Sequence, residues 1–295
     1  MRFALTLVVT LVLSGCQNNS KDQGTSCLVD PPTTVSIEAA NFRMGADRSY
    51  PEEGPARMVS VGDFNIDRTE VTNSQFAQFV KETGYVTDAE KFQPGFGKAG
   101  AAVFMVPDET NPNWWRFIEG AHWRKPEGDG SSIKGRGNDP VVQVSIKDAK
   151  AYAEWAGRRL PTQEEWEYAA RAGSDTRFVW GEERDPDGKQ MANTWQGAFP
   201  IENTQLDGHS LRAPVGCFSA NGFGLYDMIG NVWEWTDSLY NETSKNDTGD
   251  PLYTIKGGSF LCADNFCRRY TGTSRQAQEA TFSTNHIGFR TVKSE

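Results

Sequence analysis

Helical periodicity along this chain is confined to a few short stretches. Phe76, Phe79 and Val80 recur at i, i+3 and i+4 within 73–83, and Gly84 stands where such a helix would stop. Ser145 is a good N-cap for a second helix, with Ala149, Tyr152, Ala153 and Ala156 on one face and Gly157 at its end. Thr162-Gln163-Glu164-Glu165 reads as a capping box after Pro161, opening a third helix through Trp166, Ala169 and Ala170 to Gly173. Strand-like character is weaker: residues 58–61 alternate, and short apolar runs at 232–235 and 288–292 lie between frequent turn signals. With no internal repeat and no linker after residue 30, the pattern predicts a single α+β domain with much irregular structure.

The apolar run at 5–13 is different in kind. It follows Arg2, is too short to span a bilayer, and leads into Leu13-Ser14-Gly15-Cys16. That stretch resembles a bacterial lipobox. The resemblance implies a signal peptide over 1–15, lipidation of Cys16, and a flexible polar tether over 16–35 ahead of a folded domain at 36–295. Gln17 rather than Asp after the cysteine implies the periplasmic face of the outer membrane in a Gram-negative host, with the lipid as the sole membrane contact.

Composition narrows the class. The 295 residues include nine Trp and 12% aromatic residues, which fits a folded globular protein; the net charge of −9 argues against a nucleic-acid partner. The three histidines show no zinc-like spacing. Apart from Cys16, four cysteines remain: Cys27, Cys217, Cys262 and Cys267. In an oxidising compartment they are open to two disulfides, Cys27–Cys217 and Cys262–Cys267. Two thiols as close as Cys262 and Cys267 are also suited to clamping a soft metal or supplying a reactive sulfur.

Four segments together carry a family resemblance. They are Trp123-Arg124-Lys125-Pro126-Glu127-Gly128; Arg159-Leu160-Pro161-Thr162 with Glu165-Trp166-Glu167; Gly230-Asn231-Val232-Trp233-Glu234-Trp235; and Gly257-Gly258-Ser259-Phe260-Leu261-Cys262 running to Cys267. With Gly288-Phe289-Arg290 near the end, the chain closely resembles the formylglycine-generating enzymes, or sulfatase-modifying factors, over about 40–293. The resemblance implies a single irregular fold, distantly similar to C-type lectins and low in regular secondary structure. It also implies a copper- and oxygen-dependent oxidation of a cysteine in a target protein to Cα-formylglycine. The expected partner is an extended sulfatase-type polypeptide bearing Cys-x-Pro/Ala-x-Arg.

Residue by residue, the resemblance makes Cys262 and Cys267 the Cu(I) ligands, Ser259 a nearby hydroxyl and Trp233 a wall of the substrate groove. Arg269 and Arg275 are candidates for lining the cleft. Two Ca²⁺ sites are also implied. Asn193, Thr194, Asp207 and His209 form the first, with carbonyls from Thr194 and His209. Asp227, Gly230, Val232 and Glu234 form the second, with Glu70 as a further ligand. Phe266, Thr271 and Thr273-Ser274 depart from residues frequent in the family, which loosens the expectation about substrate. Two other readings share the scaffold: an exported oxidase acting on another molecule, such as a siderophore precursor, and a noncatalytic binding module with Cys262–Cys267 as a permanent disulfide.

Overall fold

The computed structural model describes residue 27, residues 34–47, 49–247 and 249–294. Cys16 and the lipobox lie outside the described residues. Among the described residues no helix is long and apolar enough to cross a membrane.

The three expected helices form where their caps place them. Helix α1 spans Asn73–Thr83 and is closed by a reciprocal capping box between Thr72 and Gln75; Gly84 ends it in the left-handed conformation. Helix α2 spans Ile146–Trp155, with Ser145 and Asp148 as its capping box. Helix α3 spans Gln163–Arg171, capped by Thr162 and Glu165, and ends in left-handed Ala172. The apolar faces of α1 and α2 meet in an aromatic core where Phe76 stacks on Tyr152 and meets Trp123 edge-on, while α3 buries Trp166, Ala169 and Ala170 in a second core with Phe64, Ile66 and Leu225.

The strands assemble into small sheets with long loops between them. Strand β1 (Thr34–Ile37) pairs with β4 (Phe64–Asp67), which pairs in turn with the terminal strand β12 (Val292–Ser294); β2 (Ala40–Met44) pairs with β3 (Arg57–Val61). Strands β5 (Phe92–Gln93), β6 (Lys98–Phe104) and β7 (Trp115–Glu119) form another sheet. The sheet that matters for chemistry runs in the order β10-β9-β8-β11, from β8 (Trp233–Leu239), β9 (Leu252–Lys256), β10 (Arg275–Glu279) and β11 (Ile287–Gly288). The β9–β10 connection carries both Cys262 and Cys267.

Two cross-links bind this irregular chain. Cys27 and Cys217, 190 residues apart, form a disulfide, while Cys262 and Cys267 are free. Arg290 and Glu234 form a fully buried ion pair at 2.7 Å, and the same carboxylate accepts a 2.8 Å hydrogen bond from the Trp166 indole. The pair ties the last turn of the chain to β8 and α3. Trp233, expected to wall a groove, is buried in the main core, in the same cluster as Cys262.

Candidate active site around Cys262 and Cys267

Strand β9 ends in a turn only glycine suits. Gly257 and Gly258 have φ of 96° and 82°, and a Cβ on Gly258 would lie 2.0 Å from the Arg269 carbonyl oxygen. The chain leaving that turn is pinned by bonds from Phe260 N–H to the Asn231 carbonyl and from Trp195 N–H to the Cys262 carbonyl. A tight reversal, closed by reciprocal backbone bonds between Ala263 and Phe266, then returns Cys267 to Cys262. Cys267 completes the reversal in the left-handed region, at φ 54°.

The sulfurs end 3.3 Å apart. Cys262 is buried and Cys267 partly exposed. Burial, reinforced by the neighbouring sulfur, pushes the Cys262 thiol well above its ordinary value. The hydrogen bond from Cys262 draws Cys267 down to about 6, helped by the Arg269 guanidinium 3.9 Å away. The pair therefore shares one proton, held on the inner sulfur, and presents a thiolate on the outer one.

The Ser259 backbone N–H is 3.5 Å from the Cys262 sulfur, while its hydroxyl accepts from Leu261 N–H. Its contribution beside the sulfur is thus a backbone dipole. Arg269 touches Cys267; Arg275 lies on β10, bonded to the Tyr240 carbonyl and stacked over that ring. Beside the outer sulfur, exposed Phe266 stacks on Phe199 at 4.5 Å and meets Trp114 edge-on, forming an aromatic ledge. A cavity of about 940 Å³ opens between Tyr50, Arg171, Arg177, Glu182, Arg268 and Thr273, with neither cysteine among its lining residues.

Sequence reasoning missed what holds Arg269. Glu52 accepts from it at 2.6 and 2.8 Å, and the Tyr50 ring covers its guanidinium at 3.9 Å. No local pattern marks Tyr50 or Glu52, because their partners lie more than 200 residues away.

The two expected calcium sets fare differently. In the first, Asp207 accepts from Thr194 N–H, the Gln196 amide and His209 N–H, and the Asn193 amide donates to the Leu211 carbonyl and Asn231. Both Asp207 oxygens therefore accept hydrogen bonds. In the second, the Glu234 carboxylate is bonded to Arg290 and Trp166. The unpartnered buried acidic oxygens there are Asp227 Oδ1 and Glu70 Oε2. Burial raises Asp227 to about 6 and raises Glu70 well above its ordinary value, the Asp227 charge adding to the push on Glu70. Two orphaned carboxylate oxygens in one buried place fit a hard cation. The backbone of Gly230 and Val232 runs past it in the same segment as Asp227. No group of three His, Cys, Asp or Glu side chains converges as a metal cage among the described residues.

Comparison with known proteins bears on the whole chain. A family model described as sulfatase-modifying factor enzyme 1-like domain matches residues 19–295. A formylglycine-generating enzyme of Mycobacterium tuberculosis is 46% identical, covering 88% of this chain and 96% of the relative. An inactive C-alpha-formylglycine-generating enzyme 2 of Mus musculus is 38% identical over 89% of this chain and 86% of that one, so likeness alone does not make a chain active. Among solved structures, PvdO from Pseudomonas aeruginosa superimposes with a TM-score of 0.58 at 25% identity, covering 91% of this chain and 96% of that one.

Proposed function

The chain belongs to the sulfatase-modifying factor enzyme 1-like family, and from that premise we propose that it is a formylglycine-generating enzyme, oxidising a cysteine of an extended sulfatase-type polypeptide with dioxygen. Cys262 and Cys267 are proposed to hold Cu(I), with Glu70 and Asp227 holding a structural Ca²⁺. The observation that carries the reading is the free thiol pair: two sulfurs 3.3 Å apart, one partly exposed, on a rigid turn. A permanent disulfide, as a binding module would use, is absent at this position although Cys27–Cys217 is formed.

Thiolates suit Cu(I). When bound, the copper supplies soft ligation for a substrate thiolate and a route for electrons to dioxygen. The chain's own residues prepare the place. Cys262 stands buried in the core on the inner side. Cys267 offers the accessible sulfur, and Arg269 balances its negative charge. Exposed Phe266, backed by Phe199 and Trp114, gives an extended substrate an apolar surface next to Cys267 in the chain. In the net reaction the substrate Cβ loses two electrons and its sulfur departs as sulfide, replaced by a carbonyl oxygen. Reduction of dioxygen to water takes four electrons, so an external thiol reductant supplies the other two.

The proposed setting is outside the inner membrane, through lipidation of Cys16; its support is the lipobox-like Leu13-Ser14-Gly15-Cys16. The deciding experiment gives the Cu(I)-loaded protein, in air with a thiol reductant, a peptide containing Cys-Thr-Pro-Ser-Arg and follows aldehyde by mass spectrometry. Aldehyde that vanishes in Cys262→Ala and Cys267→Ala establishes the reading. Copper uptake without aldehyde redirects the search to another exported substrate, and absence of both copper uptake and aldehyde leaves a noncatalytic binding module as the reading.

A further inference from the structure

The contact between Glu52 and Arg269 bridges 217 residues of sequence and is one end of a larger construction. Its foot is a buried charge cluster beneath β9. Gly45 N–H donates to Glu167 Oε1 at 2.6 Å, and Glu167 Oε2 holds the fully buried Lys256 ammonium at 2.8 Å. Lys256 also donates to the Thr273 carbonyl, while the Thr273 hydroxyl donates to Glu53. The stretch that carries Gly45, Tyr50, Glu52 and Glu53 is thus bolted to both ends of the β9–β10 connection. It folds back tightly on itself, since a Cβ on Gly45 would lie 2.4 Å from the Glu53 carbonyl oxygen.

The head of this strap lies on the Cys267 turn. The Tyr50 hydroxyl accepts from Arg268 N–H at 3.1 Å, its ring covers the Arg269 guanidinium, and Glu52 grips that guanidinium. Cys262 needs no such help, because Trp195 holds its carbonyl and the core encloses its side chain. Cys267 does: it is half-buried, left-handed, and its own carbonyl is tied only locally, to Arg269 N–H at 2.7 Å. A residue in that region persists when its surroundings over-determine it.

We propose that Glu52 and Tyr50 are positioning residues which, acting through Arg269, fix the Cys267 turn so that its sulfur stands preset beside that of Cys262 for Cu(I). The proposal rests on the copper reading of the cysteine pair. Its physical basis is pre-organisation: a ligand already in place loses little freedom when the metal arrives.

The test is Cu(I) affinity, by competition with a Cu(I)-chelating dye, in the full-length protein. The set comprises wild type, Cys267→Ala, Glu52→Gln, Arg269→Met, Arg269→Lys and the Glu52→Gln/Arg269→Met double variant, with unfolding midpoints of the metal-free forms alongside. Glu52→Gln and Arg269→Met are each expected to weaken Cu(I) by about tenfold, with the double variant no weaker than Arg269→Met, because the two residues act as one unit. Arg269→Lys, which keeps a cation for Glu52, recovers part of the loss, and the metal-free midpoints stay close to wild type. Should Glu52→Gln fail to fold, Tyr50→Phe, which removes one hydroxyl, is expected to lose about threefold by the same pre-organisation argument. Unchanged Cu(I) affinity in the single variants, or losses that add in the double variant, overturns the strap. A wild-type protein that takes up no Cu(I), or takes it up equally in Cys267→Ala, overturns the copper reading instead.

Discussion

Gly258 and the carbonyl of Arg269 are packed so closely that a methyl group on Gly258 would stand 2.0 Å from that oxygen. The contact binds the start of the cysteine connection to its far side, where Arg269 faces Cys267. Gly258→Ala adds a clash with backbone to a φ of 82°. It is expected to cost about 2–4 kcal/mol, read from a denaturant midpoint, and to remove Cu(I) uptake. An unshifted midpoint would show that the turn gives way freely.

The shared proton of the cysteine pair makes a pH prediction for the metal-free protein. Only the thiolate is alkylated. Cys267, drawn down to about 6, should therefore stay reactive toward iodoacetamide from neutral pH down to half-maximal labelling near pH 6. Cys262, raised and buried, should remain unlabelled at pH 7. Removing the cation in Arg269→Met should move the Cys267 midpoint upward. Peptide mapping after timed alkylation reads both sulfurs, and a midpoint at the ordinary thiol value would mean the proton is not shared this way.

Arg290 and Glu234 offer a stability test remote from the sulfurs. Arg290→Leu leaves the Glu234 carboxylate buried with only the Trp166 indole and should cost about 3–5 kcal/mol. Arg290→Leu combined with Glu234→Gln should recover much of that loss, since the uncompensated charge is gone. Urea unfolding of the three proteins gives the comparison; a double variant as weak as the single would place the cost in packing.

At Glu70 and Asp227 the expectation concerns metal removal. Millimolar Ca²⁺ should raise the unfolding midpoint of wild type and leave Glu70→Gln/Asp227→Asn unmoved, because a ligand that binds only the folded state stabilises it. The effect should fade as pH falls through about 6, where Asp227 takes up a proton and stops attracting the cation. A calcium response that persists in the double variant would move the cation elsewhere, to the Asp207 set first of all.

Much of this was legible in the sequence, for local reasons. The three helices announce themselves through Thr72–Gln75, Ser145–Asp148 and Thr162–Glu165, where cap and partner are three residues apart. The cysteine pair is visible for the same reason, as five residues separate the two sulfurs. What stayed hidden is non-local. Nothing near Glu234 says that its carboxylate meets Arg290, 56 residues on. Trp233 alternates with Glu234 along a strand that is buried on both faces, so its place in the sequence could not distinguish core from groove. The strap on Arg269 depends on contacts across more than 200 residues and leaves no trace in either segment.

The Cys27–Cys217 disulfide has a geometric consequence for a protein anchored at Cys16. The bond makes Cys27 the point where the anchor line meets the body of the protein, only eleven residues from the lipid. A chain of that length reaches at most about 40 Å fully extended, against about 65 Å if the line ran free to β1 at Thr34. Oxidation of one cysteine pair thus sets the height at which the other can work. Were Cys16 lipidated as proposed, the thiol pair would be confined to a thin layer above the bilayer.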